Sequence, residues 1–302
     1  MDDFSNSIQI NKQEKKMKLS IFLLFCAFTA WSGELNQIRL PEKASEPEQY
    51  AASELRDVLL KMTGRKFEIV KGDSTPASGQ GVFVLGTPAS SQAVREHRKE
   101  LSLPEQNAND TVTYRMIDGN LYLAGRTPRE VLYSVYAYLN NEHGVCWFFP
   151  GEEGEDIPRK KKIEANANLS YQFTTPFRYR SVYVFAADPA RKEEIEKWQV
   201  RNFLNVGPGT EKVLDLTGAE RKAGGHSIAI YDRKIFQKHP DWYAIIPGET
   251  KRTIKGNMGC WSNPGFHSYM VKKHIEKIDR QNLNLLSLFP ADSGYYCTCA
   301  EC

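Results

Sequence analysis

The sequence predicts an α/β protein in two parts. Residues 34–170 read as a small α+β unit, a mixed sheet carrying two amphipathic helices. Residues 171–302 read as alternating strands and helices, hence a parallel sheet. Three observations lead there. Two capping boxes, Ser45-x-x-Glu48 and Thr127-Pro128-x-Glu130, open helices whose apolar residues recur at helical spacing. Runs of strand length, among them Val82–Leu85, Thr111–Ile117 and Leu121–Ala124, stand between them. After residue 170, Pro189 and Pro264 each open a helical pattern between apolar runs, which implies parallel strands with right-handed crossovers.

Taken in order, Ile38–Leu40 is a strand. Ala51, Leu55, Val58, Leu59 and Met62 form the apolar face of the first helix, and Gly64 closes it. Phe67 and Ile69 alternate as a strand. Val82–Leu85 is a buried strand ending at Gly86-Thr87, and a polar helix follows over Ser90–Leu101. Asp118-Gly119-Asn120 turns one strand into the next. Val131, Leu132, Val135, Tyr136 and Leu139 face inward from the second helix, which Gly144 ends. Val145–Pro150 is an aromatic-rich strand, with Cys146 as a buried thiol. This part shows no carboxylate pair, nucleophile–base set or metal cluster, so it reads as accessory.

Arg159–Ser170, with its basic run, is a linker. Phe177–Phe185 is a strand with Arg178, Arg180, Val182 and Val184 on one face. Ile195, Trp198 and Val200 mark a helix, and Phe203–Val206 a short strand. An irregular insertion then runs to Cys260. Phe266, Met270, Val271, Ile275 and Ile278 mark the next helix. Leu283–Phe289 is a buried parallel strand that Pro290 stops.

The N-terminus places Lys15, Lys16 and Lys18 before the apolar run Leu19–Ala30 and the small-x-small site Ala30-Trp31-Ser32. Residues 1–33 therefore read as a leader and secretory signal peptide, whose apolar run is too short to span a bilayer. Cleavage near Ser32 leaves an exported chain, periplasmic or extracellular, with no stable membrane anchor and with disulfides permitted. Five cysteines remain, an odd number. Forty basic against 37 acidic residues give +3 without a long block of one sign, which argues against nucleic acid as a partner. Fourteen Tyr, 15 Phe and 5 Trp supply either core packing or sugar-stacking surfaces.

Asp292 stands in a loop at the carboxyl end of the last strand, where α/β folds place catalytic side chains. It is either a catalytic carboxylate or a turn residue before Ser293-Gly294. Acid–base work by a carboxylate pair needs a second acid, expected beyond residue 302, with Glu249 and Asp241 as weak internal candidates. His226 follows Gly224-Gly225 and can donate to a sugar hydroxyl or carboxylate; it can equally be a surface residue. Trp242 and Tyr243 offer stacking faces or serve as core. Arg178 and Arg180 are substrate clamps, or lie on an exposed or ion-paired face. Cys297, Cys299 and Cys302 supply three of the four ligands of a structural zinc, with Cys260 or a His as the fourth. An exported chain favours a disulfide instead, and free or disordered thiols are the third reading. No metal is assigned and no cofactor is expected.

The segments AASELRDVLLKMTG, VFVLGT, LYLAGRTPREVLYSVYAYL and HGVCWFFPGEEGEDIP resemble, in order, the N-terminal domain of bacterial α-glucuronidases and β-hexosaminidases. This covers about Glu34 to Pro158. The segments FRYRSVYVF, KHPDWYAIIPGETKR, CWSNPGFHSYMVKKHI and FPADSGYYCTCAEC resemble an uncharacterised bacterial family predicted to be secreted glycoside hydrolases. The resemblance implies that residues 171–302 are the first part of a (β/α)8 catalytic barrel. Those 302 − 170 = 132 residues compare with roughly 250 for a whole barrel, so the barrel is read as incomplete at the C-terminus. The implied activity is glycosidase chemistry on polysaccharide or uronic-acid-containing glycans, or an inactive fragment of such an enzyme. Hexosaminidases carry an adjacent Asp-Glu pair where Asp292-Ser293 stands here, a departure that weighs against the acetamido-assisted mechanism. The alternative is a non-catalytic secreted carbohydrate-binding protein.

Overall fold

Local capping chemistry sets the first elements. Strand β1 (Gln37–Leu40) buries Ile38 and Leu40. Helix α1 (Glu46–Thr63) starts where the Ser45 N–H donates to Glu48 Oε2 at 2.8 Å. Beyond α1 run β2 (Glu68–Lys71), β3 (Val82–Gly86) and the short α2 (Gln92–Glu96). Strands β4 (Thr111–Ile117) and β5 (Asn120–Ala124) form a hairpin through Asp118 and Gly119, both with positive φ, as a two-residue primed turn requires. Helix α3 (Pro128–His143) opens on the second capping box, in which Glu130 Oε2 accepts the Thr127 N–H at 3.0 Å. Gly64 and Gly144 close α1 and α3 at φ 72°, a left-handed position that glycine adopts without strain. The computed structural model describes residues 33–302 except 107–108, 165, 183, 185–187, 208–211, 291 and 293. All but Gly33 of the leader expected over residues 1–33 lies outside the described residues, as do Tyr183, Phe185, Pro208, Gly209 and Ser293.

The short pair β6 (Cys146–Trp147) and β7 (Glu155–Asp156) follows α3. Strand β8 (Ser170–Thr174) then returns to the first sheet. That sheet has the order β2-β1-β3-β5-β4-β8. The pairs among β2, β1, β3 and β5 are parallel, and β4 is antiparallel to both its neighbours. Helices α1 and α3 cover one face, burying Leu55, Leu59, Val131 and Val135 against Phe83, Leu85 and Tyr114. Ala93 and Val94 of α2, with Leu101 and Leu103, cover Val84 and Tyr122 on the other. The architecture is mixed α/β, as the sequence predicts.

The later half adds α4 (Lys192–Arg201), β9 (Val206–Gly207), α5 (Lys212–Leu216), β10 (Glu220–Ala223), α6 (Arg233–Lys238), α7 (Pro264–Gln281) and β11 (Leu285–Leu286). Strand β10 lies between β9 and β11, parallel to both. Val200, Val213 and Leu214 pack into the core of the first sheet. Arg201 ties the halves together, binding Glu54 Oε2 at 2.8 Å and Glu155 Oε1 at 2.6 Å. Among the described residues no helix is long and apolar enough to cross a membrane.

Several expectations change. The strand expected over Val145–Pro150 stops at Trp147, because Phe148 and Phe149 turn outward. The linker Arg159–Ser170 buries Ile163 in the main core, and its last residue begins β8, whose Tyr171 stacks on Tyr114 at 5.0 Å. No strand forms over the described residues of Phe177–Phe185. Arg180 instead lies beside Asn205, whose N–H donates to the Arg180 carbonyl at 3.0 Å. Phe203 takes a left-handed φ of 62° after α4, which delays the next strand to Val206. The insertion before Cys260 contains β10, whose Glu-Arg-Lys-Ala sequence carries no apolar signal. The strand expected to be buried over Leu283–Phe289 is confined to Leu285–Leu286, at the edge of a three-stranded sheet, and Leu288 and Phe289 are exposed.

Candidate functional site

The carboxyl ends of β10 and β11 lie side by side, and each opens into a loop. The Ser287 N–H donates to the Ala223 carbonyl at 2.9 Å, so the loops diverge from adjacent backbone. Gly224 permits this approach: a Cβ there would stand 2.4 Å from Ser287 Cβ. The Ile228 N–H donates to the Phe289 carbonyl at 3.3 Å, and the Ser227 hydroxyl to the Ser287 carbonyl. His274 Nε2, from α7, meets the Ser227 carbonyl at 3.0 Å.

This stitching places His226 against Asp292. His226 Nδ1 contacts the Pro290 carbonyl, and His226 Nε2 lies 3.0 Å from Asp292 Oδ2. A carbonyl and a carboxylate both only accept, so this geometry is a pair of hydrogen bonds when each imidazole nitrogen carries a proton, Nδ1–H toward Pro290 and Nε2–H toward Asp292. The Asp292 side chain is 92% exposed, open to a ligand from solvent. A carboxylate so held can take a proton or act as a nucleophile, and the imidazole fixes its orientation.

The other candidates lie elsewhere. Arg180 donates to Asp110 Oδ2, to Thr175 Oγ1 at 3.2 Å, and to the carbonyls of Phe177 and Phe203, both at 2.7 Å. Its guanidinium is therefore an internal tie rather than a free clamp. Arg178 is exposed, with its guanidinium 5.0 Å from the Tyr179 ring centre. Tyr243 is fully buried and donates to the Asp232 carbonyl at 2.6 Å, so it presents no face to a sugar. Trp242 stacks on His239 at 3.9 Å and packs near Tyr269. Glu249 faces Lys255 at 4.0 Å, and Asp241 Oδ2 accepts from Asn263 Nδ2 at 2.9 Å.

A second cluster holds Cys260, Cys297, Cys299 and Cys302, all free thiols, with sulfurs within 4.8 Å of one another. Burial raises the Cys260 thiol, but hydrogen bonds from Ser262, Arg252, Cys299 and Cys297 outweigh it and bring the pKa down to about 6. Burial pushes Cys297 up to about 11. Cys146 is half-buried and stands apart, 3.6 Å from Asn140 Nδ2.

Sequence reasoning named His226 and Asp292 separately and missed their pairing, because β10 gave no strand signal. It missed Asp110 as the partner of Arg180, since the two lie 70 positions apart.

Among curated proteins none matches this chain. Among solved structures, the chain is similar to a family GH115 4-O-methyl-α-glucuronidase with specificity for decorated arabinogalactans. That likeness has a TM-score of 0.49 at 10% identity and covers 90% of this chain and 37% of that one. A second likeness, to CpGH84D, has a TM-score of 0.42 at 8% identity and covers 85% of this chain and 41% of that one. The chain thus spans about two fifths of the length of each. A family model described as a domain of unknown function, DUF4838, matches residues 149–302, half of the chain, and the protein belongs to that family.

Proposed function

We propose that this chain is part of an exported glycoside hydrolase-like protein acting on polysaccharide or uronic-acid-containing glycans. Asp292 is its catalytic carboxylate and His226 the residue that positions it. The observation that carries the reading is the 3.0 Å contact between His226 Nε2 and Asp292 Oδ2 at the carboxyl ends of two adjacent parallel strands. In α/β sheets with parallel strands, that edge is where loops bring chemistry together. An exposed carboxylate held by an imidazole suits activation of a water or attack at the anomeric carbon. The partner acid is a separate assignment, since Glu249 and Asp241 are engaged with Lys255 and Asn263. The alternative of a non-catalytic carbohydrate-binding protein draws on Trp242 and Tyr243 together with Arg178 and Arg180. It loses support from the burial of Tyr243 and the stacking of Trp242 on His239.

The test is hydrolysis of aryl glycosides, aryl glucuronides and glucuronic-acid-bearing polysaccharides by the protein as its host makes it. Asp292→Asn is expected to lower kcat by about 10²–10⁴-fold, the usual contribution of general acid–base catalysis, with an unchanged thermal transition. Full activity in Asp292→Asn, or no hydrolysis of any of these glycans by the unmodified protein, would overturn the reading.

A further inference from the structure

We propose that Cys260, Cys297, Cys299 and Cys302 bind one zinc ion in a closed four-thiolate site that fastens the loop after β11 to the segment before α7. The sulfur geometry carries this. Cys260 Sγ lies 3.6 Å from Cys299 Sγ and 3.8 Å from Cys302 Sγ, and all four sulfurs lie within 4.8 Å of one another. A tetrahedral zinc with Zn–S bonds of about 2.3 Å separates its sulfurs by roughly 3.8 Å along each edge. A disulfide brings two sulfurs to about 2.05 Å and leaves the others out. The arrangement here is a mutual cluster, not two pairs.

The backbone presents the thiols from two sides. The Cys302 N–H donates to the Cys299 carbonyl at 3.1 Å, which curls the C-x-C-x-x-C segment around a centre. Thr298 is fixed to the Ile245 carbonyl through both its N–H, at 2.7 Å, and its hydroxyl, at 2.9 Å. Cys260 is fixed in turn by its N–H to the Trp242 carbonyl at 2.8 Å.

Outer groups suit an anionic metal–thiolate centre. Ser262 Oγ lies 3.1 Å from Cys260 Sγ, 3.5 Å from Cys299 Sγ and 3.2 Å from Cys302 Sγ. The Arg252 guanidinium reaches the Cys260 sulfur and also donates to the Tyr243 carbonyl at 2.7 Å. Four thiolates around a divalent ion leave net negative charge, which a guanidinium and a hydroxyl stabilise. A complete set of soft sulfur donors selects zinc over magnesium or calcium and leaves no open position for substrate, so the metal is structural. Its binding as thiolates releases protons and adds to folding stability. The site stands independently of any role for Asp292.

The test is metal analysis of the full chain, purified without chelator and without added metal. About one zinc per chain is expected, as for a single structural site, released when an organomercurial titrates the thiols. Cobalt(II) exchanged into the unmodified protein should give the intense visible bands of a tetrahedral thiolate site, a readout that needs no variant. Cys297→Ser with Cys299→Ser should abolish both signals, whereas Cys146→Ser should keep them. Absence of zinc, a disulfide among the four found by mass spectrometry, or undiminished zinc in the double variant would overturn the proposal.

Discussion

Arg180 Nη2 meets Asp110 Oδ2 at 2.5 Å, and this contact joins the segment after β8 to the residue that precedes β4. Asp110 Oδ1 also accepts from Arg129 Nη2 of α3 at 3.0 Å, and Oδ2 from Asn205 Nδ2 at 3.2 Å. Arg129 in turn lies 3.6 Å from Glu220 on β10. The chain of contacts runs from the first sheet to the strand that leads to His226. Removing one partner of a buried ion pair costs about 3–5 kcal/mol, because the remaining charge stays buried and unpaired. Asp110 is 5% exposed and serves two guanidiniums. Asp110→Ala is therefore expected to lose about that much in urea unfolding; an unchanged midpoint would show the network to be incidental.

His143 predicts a pH effect. Lys160 Nζ lies 2.7 Å from its Nδ1, and Tyr138 Oη 2.9 Å from its Nε2. Burial first, and the Lys160 charge second, lower its pKa from the ordinary 6.5 to about 4. The unfolded chain thus takes up the proton before the folded one. The stability held by neutral His143 is fully present above about pH 6.5 and is lost as pH falls through 4, by up to about 3 kcal/mol. Denaturant unfolding across that window should show a steeper loss for the native sequence than for His143→Gln. Parallel curves would contradict the assignment.

Gly224 predicts a steric effect. A methyl at this position meets Ser287 Cβ at 2.4 Å, where the backbones of the two site loops are joined. Overpacking of this kind costs about 1–3 kcal/mol. Gly224→Ala should lower the thermal midpoint, and Ser287→Gly in the same chain should restore much of it, since it removes the opposing carbon. A double-mutant cycle without coupling would count against a steric cause.

The basic and apolar N-terminal run predicts processing. Protein recovered from outside the cytoplasm of its host should begin near Gly33 or Glu34 on N-terminal sequencing. Recovery only as a cytoplasmic product that retains the run Leu19–Ala30 would contradict export.

The sequence by itself determined the elements whose causes are local. Ser45 with Glu48 and Thr127 with Glu130 satisfy N–H groups within one turn, and Gly64 and Gly144 end the same helices. The Asp118-Gly119 turn likewise closes a hairpin on its own conformational preference. These features are legible because cause and effect lie within four or five residues. Tertiary structure alone decided the rest. Glu220–Ala223 is a strand because parallel neighbours on both sides take its backbone, not because its side chains favour one. Phe177–Phe185 reads as a strand by alternation, yet Arg180 is held by Asp110 across the core boundary. His226 meets Asp292, and Cys260 meets the three later thiols, across chain separations of 66 and 37–42 positions. Periodicity and spacing carry no information about such contacts, since they form only when packed sheets and loops bring distant segments to the same place.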